Sequence, residues 1–391
     1  MNTNSFVAQA RLREFSPWEK LGDRRVPYSF DLEITARCNN DCRHCYINLP
    51  AGDVEARRDE LSVAEISDIA DQAVALGSLW CLITGGEPLL RQDWADVYMT
   101  LKRKGLLVSL FTNACLVSEE HAALFEKYPP RDVEVTVYGA TEETYERVTR
   151  RQGSYRAFRR GLDLLLESGV RVRLKAMALR DNVAELPEIA RFCRERTVDY
   201  YRFDPVLHLR FDGNPVRNDE IKAERLSPAE IVELEQSDPE RMHSLEKSCD
   251  RLIQTPGCVE PVCNHLFHCG AGNANFVVGY EGTFRLCASL CAPGTTYDLR
   301  RGTLAEAWNE FVPRVRDTRA RRAEFLTTCR TCNIVNLCLH CPAHAALETG
   351  AMDGDTPYFC AVAHARADML RARQPASGLT AVASLISPRG Y

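Results

Sequence analysis

The strongest constraint on the fold is an alternation of strand-like and helix-like segments between residues 29 and 205. Strand-like runs rich in β-branched and apolar residues fall at 29–35, 79–84, 107–111, 133–137, 170–176 and 200–203. Helix-like segments lie between them at 63–76, 93–104, 119–128, 155–167 and 186–196. Ser62 followed by Glu65 is a capping box, and Ser154 is expected as the N-cap of the fourth helix. Gly77, Gly105 and Gly169 stand where helix C-caps need a left-handed residue. Strand–helix units in succession imply a parallel sheet with right-handed crossovers. In such sheets the site lies at the C-terminal ends of the strands.

The loop after the first strand therefore falls on the site edge, and it holds Cys38, Cys42 and Cys45. Thiolates gathered in one loop are soft ligands for iron–sulfur clusters, zinc or copper. Three ligands leave one iron of a four-iron cluster without a protein partner, open to a substrate or cofactor. The chain has 17 cysteines, an odd number. With no export signal in MNTNSFVAQARLREF, the expected compartment is the cytoplasm, where clustered cysteines bind metal more often than they pair. Net charge is −5, which gives no reason to expect nucleic acid or a membrane surface as partner.

Cys38-x3-Cys42-x2-Cys45 followed by Tyr46 resembles the motif of the radical S-adenosylmethionine (SAM) superfamily. The resemblance implies a partial (β/α)6 barrel over 29–205, in an α/β fold. It implies that the three thiolates, the catalytic core, hold a [4Fe-4S] cluster whose fourth iron takes the amino and carboxylate groups of SAM. His44 reads as a solvated loop residue. Gly85-Gly86-Glu87-Pro88, after the second strand, resembles the family's Gly-Gly-Glu-Pro motif, which contacts the SAM amino group. Its glycines would let a ligand approach the backbone, and its carboxylate would take the amine. Thr112-Asn113 resembles a further SAM-binding pair after the third strand. Tyr138 stands where relatives commonly carry an Asp that meets the ribose, so that contact departs from the pattern. Arg147 matches an arginine that meets the SAM carboxylate, and Lys175 on the fifth strand is a candidate for pointing into the barrel.

A second cysteine set, Cys329-x2-Cys332-x5-Cys338-x2-Cys341 and then Cys360, lies downstream of Cys263, Cys269 and Cys287. It resembles the SPASM extension of radical SAM enzymes that modify peptides and proteins, a small cysteine-rich α+β domain with two auxiliary [4Fe-4S] clusters. The resemblance assigns Cys263, Cys269, Cys287 and Cys341 to one cluster and Cys329, Cys332, Cys338 and Cys360 to the other. The last gap is one residue shorter than usual, and two zinc ribbons are the alternative. Cys249, Cys258 and Cys291 have no role in this scheme, and Cys81, Cys115 and Cys193 read as core. The expected organisation is an N-terminal lead-in segment (1–28), the barrel (29–205), a polar bridging region with one helix from 228 (206–262), the SPASM domain (263–365) and a disordered tail (366–391).

The implied function is an oxidoreductase of the radical SAM/SPASM maturase class. Its 5′-deoxyadenosyl radical would abstract hydrogen from a ribosomally synthesised precursor peptide and so install a cross-link or another modification. With only 28 residues ahead of the barrel, a separate leader-peptide-binding protein is expected as partner, and a flavodoxin or ferredoxin as electron donor. The alternatives are a formylglycine-forming sulfatase maturase, disfavoured by Ala288 where those relatives carry Asp, a tetrapyrrole side-chain enzyme, which would need a deep apolar cavity, and a non-enzymatic iron–sulfur protein.

Overall fold

The computed structural model describes residues 25–199, 201–249, 264–338 and 340–373. Its described residues form two compact units. The first comprises 25–199, 201–225, 265–320 and 341–354; the second comprises 226–249, 264, 321–338, 340 and 355–373.

The first unit is built on one twisted sheet. Its strands are β1 (Ser29–Glu33), β2 (Trp80–Thr84), β3 (Leu107–Thr112), β4 (Asp132–Val137), β5 (Val172–Met177), β6 (Arg202–Asp204), β7 (Asn275–Val278), β8 (Thr283–Arg285) and β9 (Thr296–Asp298). The order across the sheet is β9-β8-β7-β1-β2-β3-β4-β5-β6. From β1 to β6 all neighbours are parallel, as the alternation required. The hairpin expected at 276–285 forms, but it does not stand apart. Its first strand, β7, runs parallel beside β1, with Val277 opposite Asp31.

Successive strand residues face opposite sides of a sheet. One side carries Phe30, Leu32, Ile83, Val108, Leu110, Val133, Val135, Leu174 and Ala176, all buried. Burial of each large side chain here contributes about 1.5–3 kcal/mol, and the helices supply the covering layer. The other side carries Asp31, Glu33, Glu134, Arg173, Lys175 and Arg202. Leu82, Phe111 and Val277 share this inner face, and its charges are held in ion pairs such as Glu33–Arg285 and Glu134–Lys175.

The covering helices that bear on the site are α1 (Val63–Ala75), α2 (Glu142–Thr149), α3 (Ser154–Glu167), α4 (Leu186–Arg196) and α5 (Pro215–Glu224). The Ser62–Glu65 capping box is formed, with the Glu65 amide donating to Ser62 Oγ at 3.2 Å and the Ser62 amide to Glu65 Oε2 at 2.8 Å. Gly77, Gly105 and Gly169 all have positive φ. Two local readings change. Helix α3 begins at Ser154 itself with Gly153 as its cap, because the Ser154 hydroxyl is buried against Thr149 Oγ1 at 2.7 Å. The polar charge pattern after Thr141 conceals α2, whose N-cap is the Thr141 hydroxyl.

In the second unit the polar stretch after 225 is more regular than expected. Helices α6 (Pro228–Ser237) and α7 (Pro239–Cys249) follow α5. Helix α9 (Pro357–Arg373), which follows α8 (Pro342–Thr349) of the first unit, continues to Arg373 where a disordered tail was expected from 366. Met242, Ile334, Leu337, Ala363, Ala367, Met369 and Leu370 form the core here, and Cys332 and Cys338 pack against it. Glu235 is fully buried and receives Arg366 and Arg241, each at 2.8 Å. The lead-in segment up to residue 24 and the tail from 374 lie outside the described residues.

Candidate active site

The cysteine loop leaves β1 through Ile34–Ala36 and returns on itself. Arg37 and Cys38 pair in parallel with Leu49 and Pro50, so the ten residues between them form a loop closed by its own ladder. Arg37 is buried and doubly bonded to Glu60, at 2.7 and 3.1 Å, which fixes the start of the loop. Cys42 is buried, and Cys38 and Cys45 are half-buried. Burial pushes all three thiols up; Glu87 and Cys45 add to the rise at Cys38, and Cys38 and Cys45 add to it at Cys42. Buried thiolates are poor free anions, and a bound cation removes that penalty. The donor set therefore fits a thiolate-ligated iron–sulfur cluster. Among the described residues no three such side chains converge tightly enough for a single metal ion. A four-iron cluster is larger than one ion, and its ligands stand farther apart.

Gly85 and Gly86 join the second strand end to this loop. A Cβ on Gly85 would lie 2.2 Å from the Thr35 carbonyl oxygen, and one on Gly86 would lie 2.3 Å from that of Arg37. Gly86 N donates to Thr35 O at 2.7 Å and Glu87 N to Arg37 O at 2.9 Å. The close approach that these glycines permit is thus made by the chain's own backbone just before Cys38. Glu87 is fully buried, and burial raises it to about 7. Its carboxylate accepts from Thr112 Oγ1 at 2.7 Å, Asn113 N at 2.8 Å and Leu89 N at 3.1 Å. The carboxylate is therefore committed to the third strand end rather than held out for an amine. Pro88 is buried at the start of the turn that follows.

Thr112 and Asn113 complete this join. Asn113 Nδ2 donates to Asn39 Oδ1 at 2.8 Å and lies 3.7 Å from Cys38 Sγ. Tyr138 stacks obliquely on His44, with ring centroids 5.3 Å apart, and its hydroxyl supports the Cys42 thiolate. His44 is not solvated. Its Nδ1 is buried without a hydrogen-bond partner, and desolvation lowers the imidazole to about 4. Arg147 lies on α2 in ion pairs with Glu143 and Asp181, both at 3.6 Å. Lys175 lies on the inner face of the sheet, bonded to Glu134 at 2.5 Å and 4.1 Å above the Phe111 ring.

Sequence reading missed four arginines that grip the loop. Arg151 donates to Asn39 O at 2.7 Å, Arg217 to Cys42 O at 3.0 Å and Arg210 to Cys45 O at 3.2 Å, while Arg150 pairs with Asp41 at 3.6 Å. Arg150 and Arg151 follow α2; Arg210 and Arg217 follow β6. They carried no sequence signal because charged residues in polar segments look alike. Reading also missed the ion pair of Glu33 with Arg285, whose Nη1 lies 3.3 Å from Cys291 Sγ.

The downstream cysteines divide between the units. Cys269, Cys287 and Cys341 lie in the first; burial, then Cys341 and Cys269, push the Cys287 thiol up to about 11. Cys329, Cys332, Cys338 and Cys360 lie in the second; burial, then Cys360, Cys329 and Cys332, push Cys338 up to about 12. Cys263 and Cys258 lie outside the described residues. Cys81, Cys115 and Cys193 are buried, as expected.

Residues 32–193 match the Radical SAM superfamily. That match covers the cysteine loop and the parallel strands β2 to β5, and the superfamily it names implies a [4Fe-4S] cluster and SAM. Over 206 residues the chain is 29% identical to the Fe-coproporphyrin III synthase of Methanosarcina barkeri, which covers 52% of this chain and 50% of that protein. Over 169 residues it is 28% identical to the PqqA peptide cyclase of Gluconobacter oxydans, covering 43% and 46%. The match thus spans about half the length of each relative. The fold is shared more widely. SuiB of Streptococcus suis, solved with the precursor peptide SuiA, superposes with a TM-score of 0.66 over 88% of this chain and 78% of SuiB, at 15% identity. No helix among the described residues is long and apolar enough to cross a membrane.

Proposed function

We propose that this chain is a radical SAM/SPASM maturase acting on a ribosomally made peptide. One observation carries the choice of substrate class. Among the described residues the inner face of the sheet carries the ion pairs Glu33–Arg285 and Glu134–Lys175, charges that an apolar tetrapyrrole ring would cover without solvating. The names of two similar proteins, a peptide cyclase and an enzyme solved with its precursor peptide, support the same reading.

When bound, the cluster and SAM supply a 5′-deoxyadenosyl radical, which takes a hydrogen atom from the substrate. The chain's part is to hold and exclude. Cys38, Cys42 and Cys45 would ligate the cluster; Gly85–Pro88, Thr112 and Asn113 fix the loop and would hold SAM beside it. Tyr138 and His44 close the loop's apolar side against water. Arg147 and Lys175 are held in ion pairs, and their roles toward SAM belong to this reading only through the family resemblance. Cys263, Cys269, Cys287 and Cys341, and Cys329, Cys332, Cys338 and Cys360, would hold two auxiliary [4Fe-4S] clusters, which would supply an acceptor for the second electron of an oxidative cross-link. A separate leader-binding protein presents the precursor, a flavodoxin or ferredoxin is the reductant, and the compartment is the cytoplasm.

The test is anaerobic reconstitution with about twelve irons per chain. It is followed by reduction with SAM and the peptides encoded beside this gene, read by mass spectrometry. Formation of 5′-deoxyadenosine together with a peptide that has lost two hydrogens supports the reading. Turnover of a porphyrin with every neighbouring peptide unchanged overturns it. Replacing Cys38, Cys42 and Cys45 by Ala abolishes deoxyadenosine.

A further inference from the structure

The segment that follows the last barrel strand is tied to the cysteine loop at the opposite end of the parallel set. Phe211 N donates to Tyr46 O at 3.3 Å. Arg210, 4% exposed at its side chain, donates from Nη1 to Cys45 O at 3.2 Å and Asn48 Oδ1 at 2.8 Å, and from Nη2 to Asn48 O at 3.2 Å. Asp212 engages the other edge of that guanidinium at 2.7 Å. From α5, Arg217 Nη2 donates to Cys42 O at 3.0 Å and Asp41 Oδ1 at 3.0 Å, and Nη1 meets Glu220 at 3.1 Å. Asn218, one residue on, receives the Arg210 amide at 2.9 Å, so the two arginines belong to one rigid fold.

We infer that Arg210 and Arg217 are positioning residues for the cluster-binding loop. A guanidinium presents planar, fixed donors and stays charged. Two of them hold the carbonyls of two of the three ligating residues, and so fix where Cys42 and Cys45 aim their sulfurs. Partners at one remove from a metal ligand commonly change affinity or activity 10- to 100-fold when lost. Each arginine also brings a cation within one residue of a thiolate, and a nearby cation favours the reduced, more negative state of a cluster.

The test uses the full-length chain, reconstituted, with Arg210→Gln, Arg217→Gln and Arg217→Lys. Three quantities are read: iron retained after chelator challenge, the electron paramagnetic resonance shift of the reduced cluster on adding SAM, and the midpoint potential of the SAM-responsive signal. Loss of retention by about 10-fold or more, with a potential moved negative in R210Q and R217Q, is expected. R217K keeps the charge without the fork, so its potential returns toward wild type while its retention does not. Should R210Q prove insoluble, the partly exposed Arg217 carries the test alone. Wild-type retention, potential and SAM response in R217Q overturn the inference. It rests on reading Cys38, Cys42 and Cys45 as the SAM-cluster ligands. A wild-type signal indifferent to SAM would refute that reading instead, so the two failures are distinguishable.

Discussion

Arg285 on β8 is ion-paired with Glu33 on β1, both nearly inaccessible to solvent. Two strands separate in sequence by some 250 residues are thereby joined on the inner face of one sheet, with β7 between them. Removing one member of a buried pair leaves the other charge uncompensated, which costs about 3–5 kcal/mol. Arg285→Met should therefore destabilise the protein by that order. The double variant Glu33→Gln with Arg285→Met should recover much of the loss. Urea unfolding of wild type, Arg285→Met, Glu33→Gln and the double variant measures it. A double variant as unstable as the single one would show that the pair's charge is not what the site needs.

The same face sets a pH dependence. Burial raises Glu33 to about 7 and Asp31 to about 6, against ordinary values of 4.5 and 3.8. The folded protein therefore binds these protons more tightly than the unfolded chain. Stability from these groups is present at low pH and is lost as pH rises from about 4 to about 7. For Glu33 the loss is on the order of 3 kcal/mol. Asp93, Asp199, Asp212 and Glu220 are lowered by arginine partners and act in the opposite sense, so total stability is not the readout. The readout is the difference between wild type and Glu33→Gln, which should flatten the slope across that interval. A difference that does not vary between pH 4 and pH 7 refutes the assignment.

Gly86 gives a steric prediction. A methyl group there would stand 2.3 Å from Arg37 O and 2.5 Å from Ala36 O, both backbone atoms leading into Cys38. Neither can move aside as a side chain would. Gly86→Ala should cost about 1–3 kcal/mol or more in melting experiments and reduce reconstituted iron. Gly52→Ala, with nothing within 4 Å of the added carbon, is the control and should match wild type. Full iron loading in Gly86→Ala would mean that the join between the second strand end and the loop is not needed for the cluster.

Much of this was legible in the sequence, for identifiable reasons. The parallel strands were readable because their outward residues, such as Leu32, Ile83 and Val135, are apolar in alternation. The cysteine loop was readable because ligand spacing is short-range. Glu87 was found but its role was not, because whether a carboxylate faces a ligand or the Asn113 amide depends on packing across three strand ends. Arg210 and Arg217 were invisible because their partners lie more than 160 residues away. The hairpin at 276–285 was found, but its pairing with β1 is a choice of edge that no local pattern encodes.

The described members of the two proposed auxiliary ligand sets, Cys269, Cys287 and Cys341 against Cys329, Cys332, Cys338 and Cys360, fall in different units, which makes the sets separately removable. Cys287→Ala and Cys338→Ala should each lower iron by about four per chain, and the pair by about eight. Reductive cleavage of SAM should persist in all three, since neither cysteine belongs to the loop holding Cys38. Iron analysis and deoxyadenosine formation without peptide give the two readouts. A single variant that loses both sets of iron together would mean that the sets are interdependent.

Arg147 and Arg151 differ by four residues and by what they hold. Arg147 is 39% exposed and lies among Glu143, Asp181 and the Thr144 hydroxyl, all outside the cysteine loop. Exposed pairs of this kind contribute about 0–1 kcal/mol. Arg147→Ala should therefore lower stability only slightly and leave SAM binding within about 2-fold of wild type. Arg151 donates instead to Asn39 O, beside Cys38, so its removal loosens the loop at its first ligand. Arg151 is exposed as well, so its bond is worth about 0.5–1.5 kcal/mol, and Arg151→Ala should weaken SAM binding by about 2- to 10-fold. Equilibrium dialysis of SAM against the reconstituted, oxidised protein separates the two. If Arg147→Ala shows the larger loss, its guanidinium leaves these ion pairs when SAM binds, and the family resemblance, not the arrangement in the free chain, describes its role.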